Sequence, residues 1–267
     1  TAGRTTLNGE GLQHQDGHSH IQAGLIPNCV TYDPTYGYEV AVIIREGLRR
    51  MYEENENIFF YLTLMNENYQ HPALPETKDI EDQIIKGIYK LESVAAKGAK
   101  KAKVNVQLMG SGTILLQVRE AAQILAKDYG VSSDVYSVTS FNELAREGQD
   151  VTRWNMLNPE SKQKKSYIGK VITPANGPAI AATDYIKNYT EQVRAFIDTE
   201  YRVLGTDGFG RSDSRANLRQ HFEVDQNYIV VAALFELANR GDIERSVVAE
   251  AIKRFNIDTK KLNPLYA

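Results

Sequence analysis

Apolar and polar positions alternate along this chain in two periods, and the switch between them outlines a series of strands and helices. Order begins near Ile26-Pro27-Asn28-Cys29-Val30-Thr31-Tyr32, a short strand closed by Asp33-Pro34. Ala41, Ile44, Leu48, Met51 and Tyr52 then recur at helical spacing, which predicts an amphipathic helix with that face inward. The run Ile58-Phe59-Phe60-Tyr61-Leu62-Thr63-Leu64 reads as a strand buried on both faces, completing a strand–helix–strand unit. From Asn66 to Asp82 the pattern stops, with Pro72 and Pro75 among charges, and this stretch is the expected interdomain linker.

Beyond the linker the alternation resumes. Gly87 to Leu91 reads as a short strand, and Ala95 to Lys103 as an exposed loop. Val104 to Met109 is a strand, and Thr113 to Tyr129 a helix with Leu115, Val118, Ala122 and Leu125 inward. Val135 to Val138 is a strand, followed by a helix from about Ser140. Pro178 to Ala182 is a strand, Asp184 to about Ile197 a helix, and Tyr201 to Gly205 a strand. Asp225 and Gly241 bracket an apolar helix as N-cap and C-cap, and a last helix runs from Glu244 to Phe255. Alternating strands and helices predict an α/β fold with an open, mainly parallel sheet covered on both faces.

Composition narrows the function classes. The 267 residues carry 42% apolar and 24% charged side chains, a globular balance. Thirty-one Lys and Arg against 34 Asp and Glu leave a net charge of −3, so no basic excess exists to track nucleic acid. Cys29 is the single cysteine, which excludes a disulfide framework or a multi-cysteine metal site. No apolar run reaches the ~20 residues of a membrane span, and a reducing, soluble compartment is expected. The opening Thr1-Ala2-Gly3-Arg4 lacks Met and signal-peptide character, and reads as the start of a piece of something longer.

The densest chemistry lies in Gly9-Glu10-Gly11-Leu12-Gln13-His14-Gln15-Asp16-Gly17-His18-Ser19-His20, which holds three of the five histidines. Glycines there disfavour a helix and let backbone approach a ligand. Imidazoles in such a loop can donate or shuttle protons near neutral pH. Two other readings stand beside that one: a structureless terminus, and a metal site of His18 and His20 with Asp16. Met109-Gly110-Ser111-Gly112, between a strand and a helix, hints at a phosphate-cradling turn, but the third fingerprint glycine is missing and a plain tight turn is the favoured reading. In Thr206-Asp207-Gly208-Phe209-Gly210-Arg211-Ser212-Asp213-Ser214-Arg215, Ser212 or Asp213 caps the next helix, while Arg211 and Arg215 are candidates to hold a carboxylate. His71 and His221 have no evident partners, and Trp154 reads as a packing anchor.

Several runs together resemble the homodimeric type of pyruvate dehydrogenase first component. They are Gly3 to His14 followed by Asp16-Gly17-His18-Ser19-His20, then Ile26-Pro27-Asn28-Cys29, Gly87-Ile88-Tyr89-Lys90-Leu91, Arg153-Trp154-Asn155-Met156-Leu157 and Arg202 to Ser214. The similarity extends over the whole chain to Ala267. This resemblance implies a thiamine-diphosphate- and Mg2+-dependent enzyme of the transketolase-like class. Such an enzyme decarboxylates pyruvate and passes the two-carbon unit to the lipoyl group of dihydrolipoyl acetyltransferase, as a homodimer in a multienzyme complex of the bacterial cytoplasm. It also implies that residues 1–70 end a pyrimidine-binding domain, residues 71–82 link, and residues 83–267 form a transketolase-like carboxyl-terminal domain. His14 is implied to face the reacting adduct, with Glu10, His18 and His20 in the same active-centre stretch. The family's Gly-Asp-Gly cofactor motif does not occur here, so the chain alone is expected to be inactive. A non-catalytic dimerisation or assembly module is the alternative.

Overall fold

The computed structural model describes residues 3–8, 10–96 and 104–267. A short helix α1 (Ser19–Gly24) leads into β1 (Cys29–Tyr32), α2 (Gly37–Leu48) and β2 (Phe59–Leu62), and β1 and β2 pair in parallel. The second unit comprises α3 (Ile80–Lys86), β3 (Ile88–Val94), β4 (Asn105–Gly110), α4 (Ile114–Asp128), β5 (Ser132–Val138), α5 (Phe141–Leu157), α6 (Tyr167–Val171), β6 (Ala179–Ala182), α7 (Asn188–Glu191), β7 (Tyr201–Leu204), α8 (Arg215–His221), α9 (Gln226–Arg240) and α10 (Arg245–Arg254). Its five strands run in the order β3-β5-β4-β6-β7, and every pairing is parallel except the edge pair of β3 with β5. One core packs α4 and α9 against one face of this sheet, and a second gathers α5 and Tyr185, Tyr189 and Val193 on the other. The mainly parallel α/β architecture expected from the alternation is the one observed.

Local chemistry explains the element ends. Ser140 accepts from the Glu143 amide to start α5, Asp225 accepts from the amides of Asn227 and Tyr228 to start α9, and left-handed Gly241 ends it. The expected inward residues of α4 are all buried. Ser214, rather than Ser212 or Asp213, caps α8, accepting from Asn217. The expected linker is irregular as far as Asp79, and its last three residues open α3, whose inner side is buried through Ile80 and Ile84. The loop expected over Ala95 to Lys103 lies mostly outside the described residues.

Four expectations fail for tertiary reasons. In α2 the buried face is Glu39, Val42, Ile43 and Gly47, and Ala41, Ile44, Leu48 and Tyr52 are exposed. The helix is apolar on two sides, and the one carrying Glu39 packs. That carboxylate is buried because it accepts from the amides of Thr35 and Tyr36 and the hydroxyls of Tyr89 and Ser137. Strand β2 is not buried on both faces: it is an edge of a two-stranded sheet, with Phe59 exposed. The helix expected from Asp184 to Ile197 breaks into α7 and a 3-10 turn at Arg194–Phe196. Its first backbone groups are claimed elsewhere, since Thr206 donates to the carbonyl of Tyr185 and Ile186 donates to that of Gly17. Trp154 is half-exposed with the Lys164 ammonium 3.7 Å above its ring, so it is not a buried anchor.

The two units meet through buried polar groups. Asp33, at the end of β1, accepts from Thr63 and packs against the turn before α4, where Gly112 has φ +50°. A Cβ on Gly112 would stand 2.9 Å from the Asp33 carboxylate, so only glycine fits there. That turn is therefore buried against protein, which agrees with the tight-turn reading and leaves no open phosphate cradle.

Candidate active-centre segment

The segment carrying Glu10 and His14 is tied at both ends to the carboxyl edge of the second unit's sheet. Loops there, beyond parallel strands, are where such folds place ligands. At its start, Arg4 donates its amide to the carbonyl of Asp184, and the Asp184 carboxylate takes the amides and hydroxyls of Thr5 and Thr6. At its end, the Asp16 amide donates to the carbonyl of Gly3 at 3.3 Å, and Ile186 donates to Gly17 at 3.0 Å. The Gln15 amide side chain bonds both the carbonyl and the N–H of Arg211, clipping the segment to the loop after β7.

The four histidine-loop candidates do not form one cluster. Glu10 and His14 are exposed partners, with Oε2 3.7 Å from Nδ1, four residues apart. His18 instead lines a cleft of about 680 Å³ with Arg4, Leu12, Gln15, Asp207 and Gly208, and its ring lies 3.4 Å from the Arg4 guanidinium. His20 points the other way, into the protein. Its ring is fully buried, stacked on Tyr189 and edge-on to Tyr185 at centroid distances of 4.7 Å, with Nε2 2.9 Å from the Thr63 hydroxyl. Thr63 donates onward to Asp33, so His20 donates from Nε2, and Nδ1 is the ring nitrogen left without a partner. Burial pushes the His20 pKa down to about 3, against a small opposing pull from Asp16, and pushes that of Asp33 up to about 7. A neutral, enclosed imidazole of this kind is a packing and hydrogen-bonding group in the described structure.

The metal reading of His18, His20 and Asp16 fails. His20 is enclosed, Asp16 accepts from the amides of His18 and Ser19 at the start of α1, and no group of three or more His, Cys, Asp or Glu among the described residues is placed to hold an ion. The structureless-terminus reading fails as well, given the bonds above. Arg215 is not free for an outside carboxylate: its Nε donates to the carbonyl of Thr6, and it lies 3.8 Å from Glu67. Arg211 donates to its neighbour's carbonyl at Gly210. His71 has a partner after all, accepting from the Gly37 amide at the start of α2. His221 is half-buried edge-on to Phe222. The residues that sequence reading misses are Arg4, Thr5, Thr6 and Asp184; no local pattern marks a contact made across 179 positions.

The site thus sits on a mainly parallel five-stranded sheet with one reversed edge strand, joined to a βαβ unit through buried carboxylates. The family model described as "Transketolase-like TK C-terminal domain" matches residues 87–225, and "Pyruvate dehydrogenase E1 component middle domain" matches residues 1–72. The chain belongs to the transketolase-like family. Among curated relatives it is 62% identical over 269 residues to the pyruvate dehydrogenase E1 component of Escherichia coli (strain K12), covering 100% of this chain and 29% of that protein. It is 60% identical over 266 residues to that of Pseudomonas aeruginosa, covering 99% of this chain and 30% of the relative. The chain thus spans less than a third of the length of these relatives. Among solved structures, transketolase from Pichia stipitis superposes with a TM-score of 0.62 at 17% identity, over 91% of this chain and 30% of that one. Transketolase from Leishmania mexicana superposes with a TM-score of 0.60 at 15% identity, over 90% and 30%. These agree in fold.

Proposed function

We propose that this chain is the carboxyl-terminal portion of a pyruvate dehydrogenase E1 component that decarboxylates pyruvate and reductively acetylates the lipoyl group of dihydrolipoyl acetyltransferase. The observation that carries the reading is the 62% identity running the full length of the chain. The bonds that pin the Glu10–His14 segment add to it. In this reading residues 1–70 end the pyrimidine-binding domain, residues 71–82 link, and residues 83–267 support the active centre and the homodimer of a cytoplasmic multienzyme complex. The full-length enzyme would depend on thiamine diphosphate, which would supply the electron sink for decarboxylation, with Mg2+ holding its diphosphate. The described residues do not fit the diphosphate site: no cation-ligating cluster is present among them, and the glycine turn between β4 and α4 is filled by Asp33. What the chain offers is a proton donor. Where a reaction develops negative charge on the keto oxygen of a 2-oxo acid, an exposed imidazole such as His14 could protonate that oxygen, with the Glu10 carboxylate 3.7 Å from its ring. His18 contributes from the adjoining cleft, and His20 by fixing α1 beneath it.

The test is to assay the full-length polypeptide containing this sequence, and the 267-residue chain alone, for pyruvate-dependent acetylation of a lipoyl acceptor. The reading expects turnover in the first and none in the second. A full-length protein that ignores pyruvate and turns over another keto substrate would refute it.

A further inference from the structure

We infer that Asp184 is a positioning residue for the reaction, holding the Glu10–His14 segment from the second unit; this rests on the proposed function. Asp184 follows β6, is fully buried, and spends both carboxylate oxygens on one short stretch of chain. Oδ1 accepts from the Thr5 amide at 2.9 Å and the Thr5 hydroxyl at 2.7 Å. Oδ2 accepts from the Thr6 amide at 3.2 Å and the Thr6 hydroxyl at 2.7 Å. Its carbonyl takes the Arg4 amide at 3.1 Å and the Thr206 hydroxyl at 2.9 Å. Thr6 is held again by the Thr113 hydroxyl at 2.8 Å, and Thr5 by Arg219 Nε at 3.3 Å. A stretch used only for bulk packing does not need each donor of two successive residues met by a single side chain. Surrounding contacts make the fit exclusive: Gly3 has φ +93°, and a Cβ there would stand 2.2 Å from Oδ2.

The consequence for the site is geometric. Glu10 is four residues beyond Thr6, so its Cα lies within about 14 Å of a fixed point. The far end of the segment is fixed on the same turn, through Ile186 and Gly17. Residues that touch no substrate can still set the approach of a proton donor, and a misplacement of about 1 Å costs up to about 100-fold in rate. The second unit thereby orients the donor while leaving substrate binding to other residues. Loosening the anchor should lower kcat and spare KM.

Two double variants in the full-length enzyme test this. Thr5→Val with Thr6→Val keeps shape and removes both hydroxyl donors, while Thr5→Ser with Thr6→Ser keeps them. The valine pair should lose about 10- to 100-fold in kcat with KM within about twofold. The serine pair should recover to within about threefold of the parent, and amide hydrogen exchange at residues 4–8 should quicken at least about 10-fold in the valine pair alone. Unchanged kcat in the valine pair overturns the positioning role, and exchange that does not quicken shows in addition that the hydroxyl bonds to Asp184 do not hold the segment. His14→Ala run alongside separates the claims. A fall there with none in the valine pair overturns positioning alone; no fall in either overturns the donor role of His14 and the positioning together; and a parent enzyme that does not turn over pyruvate overturns the proposed function itself. Should the valine pair not fold, Thr5→Val singly carries the same comparison, with about a fivefold loss of kcat expected and no loss refuting it.

Discussion

Replacing His20 by phenylalanine should change how the stability of this chain responds to acid. The imidazole has no exposed surface and is boxed by Tyr61, Tyr185 and Tyr189, so a benzene ring fits the same aromatic contacts. Burial holds the folded pKa at about 3, whereas an unfolded histidine titrates near 6.5. Between those values the unfolded chain takes a proton that the folded chain refuses. Stability is therefore present above about pH 6.5 and drains away as pH falls toward 3. At pH 5 the loss from this one group is about 2 kcal/mol, against about 0.1 at pH 7.5. Asp33, whose carboxyl burial lifts to about 7, titrates in both proteins and cancels from the difference. At neutral pH phenylalanine gives up the bond to Thr63 but also removes the unpartnered Nδ1, so the two proteins should differ by no more than about 1 kcal/mol. Urea unfolding of both at pH 7.5 and pH 5 reads the result: relative to the variant, the parent should lose about 2 kcal/mol on acidification. A difference that stays constant within about 0.5 kcal/mol would refute the claim that His20 is folded neutral.

Gly3→Ala must move either the backbone or the Asp184 carboxylate, since φ is +93° and the new Cβ would stand 2.2 Å from Oδ2. A loss of about 2–3 kcal/mol in chemical denaturation is expected. Arg219→Met takes from Glu67 the guanidinium that meets its carboxylate with two nitrogens at a largely buried site, leaving only Arg215 at 3.8 Å, and should cost about 2–3 kcal/mol. Adding Glu67→Gln should recover most of that loss, and no recovery would show that Arg219 acts through packing. Thiamine diphosphate with Mg2+ should leave the thermal midpoint of the 267-residue chain unmoved; a complete site at about 100 times Kd would add ~2.7 kcal/mol and shift it visibly.

Which parts of the molecule the sequence reveals follows from the range of the interactions. The helix α4 and the caps at Ser140, Asp225 and Gly241 are set by neighbours within a few residues, so periodicity and cap chemistry find them. The packed side of α2 is decided by Tyr89 and Ser137, 50 and 98 residues from Glu39, and a helix apolar on two sides gives no local hint of that choice. The break after Asp184 has the same origin, because Arg4, Gly17 and Thr206 take the bonds a helix would use. The histidine-rich segment is visible from composition alone. Its division into an exposed Glu10–His14 pair, a cleft-lining His18 and an enclosed His20 needs the tyrosines near residue 187 and the turn at Asp184.

In the proposed function, this chain delivers a positioned proton donor to a reaction whose cofactor is held elsewhere. His14→Ala in the full-length enzyme tests it most directly, with turnover of pyruvate and affinity for thiamine diphosphate measured on the same preparation. Turnover should fall about 10²- to 10⁴-fold while cofactor affinity stays within about twofold. Unchanged turnover, or a loss confined to cofactor affinity, would contradict it.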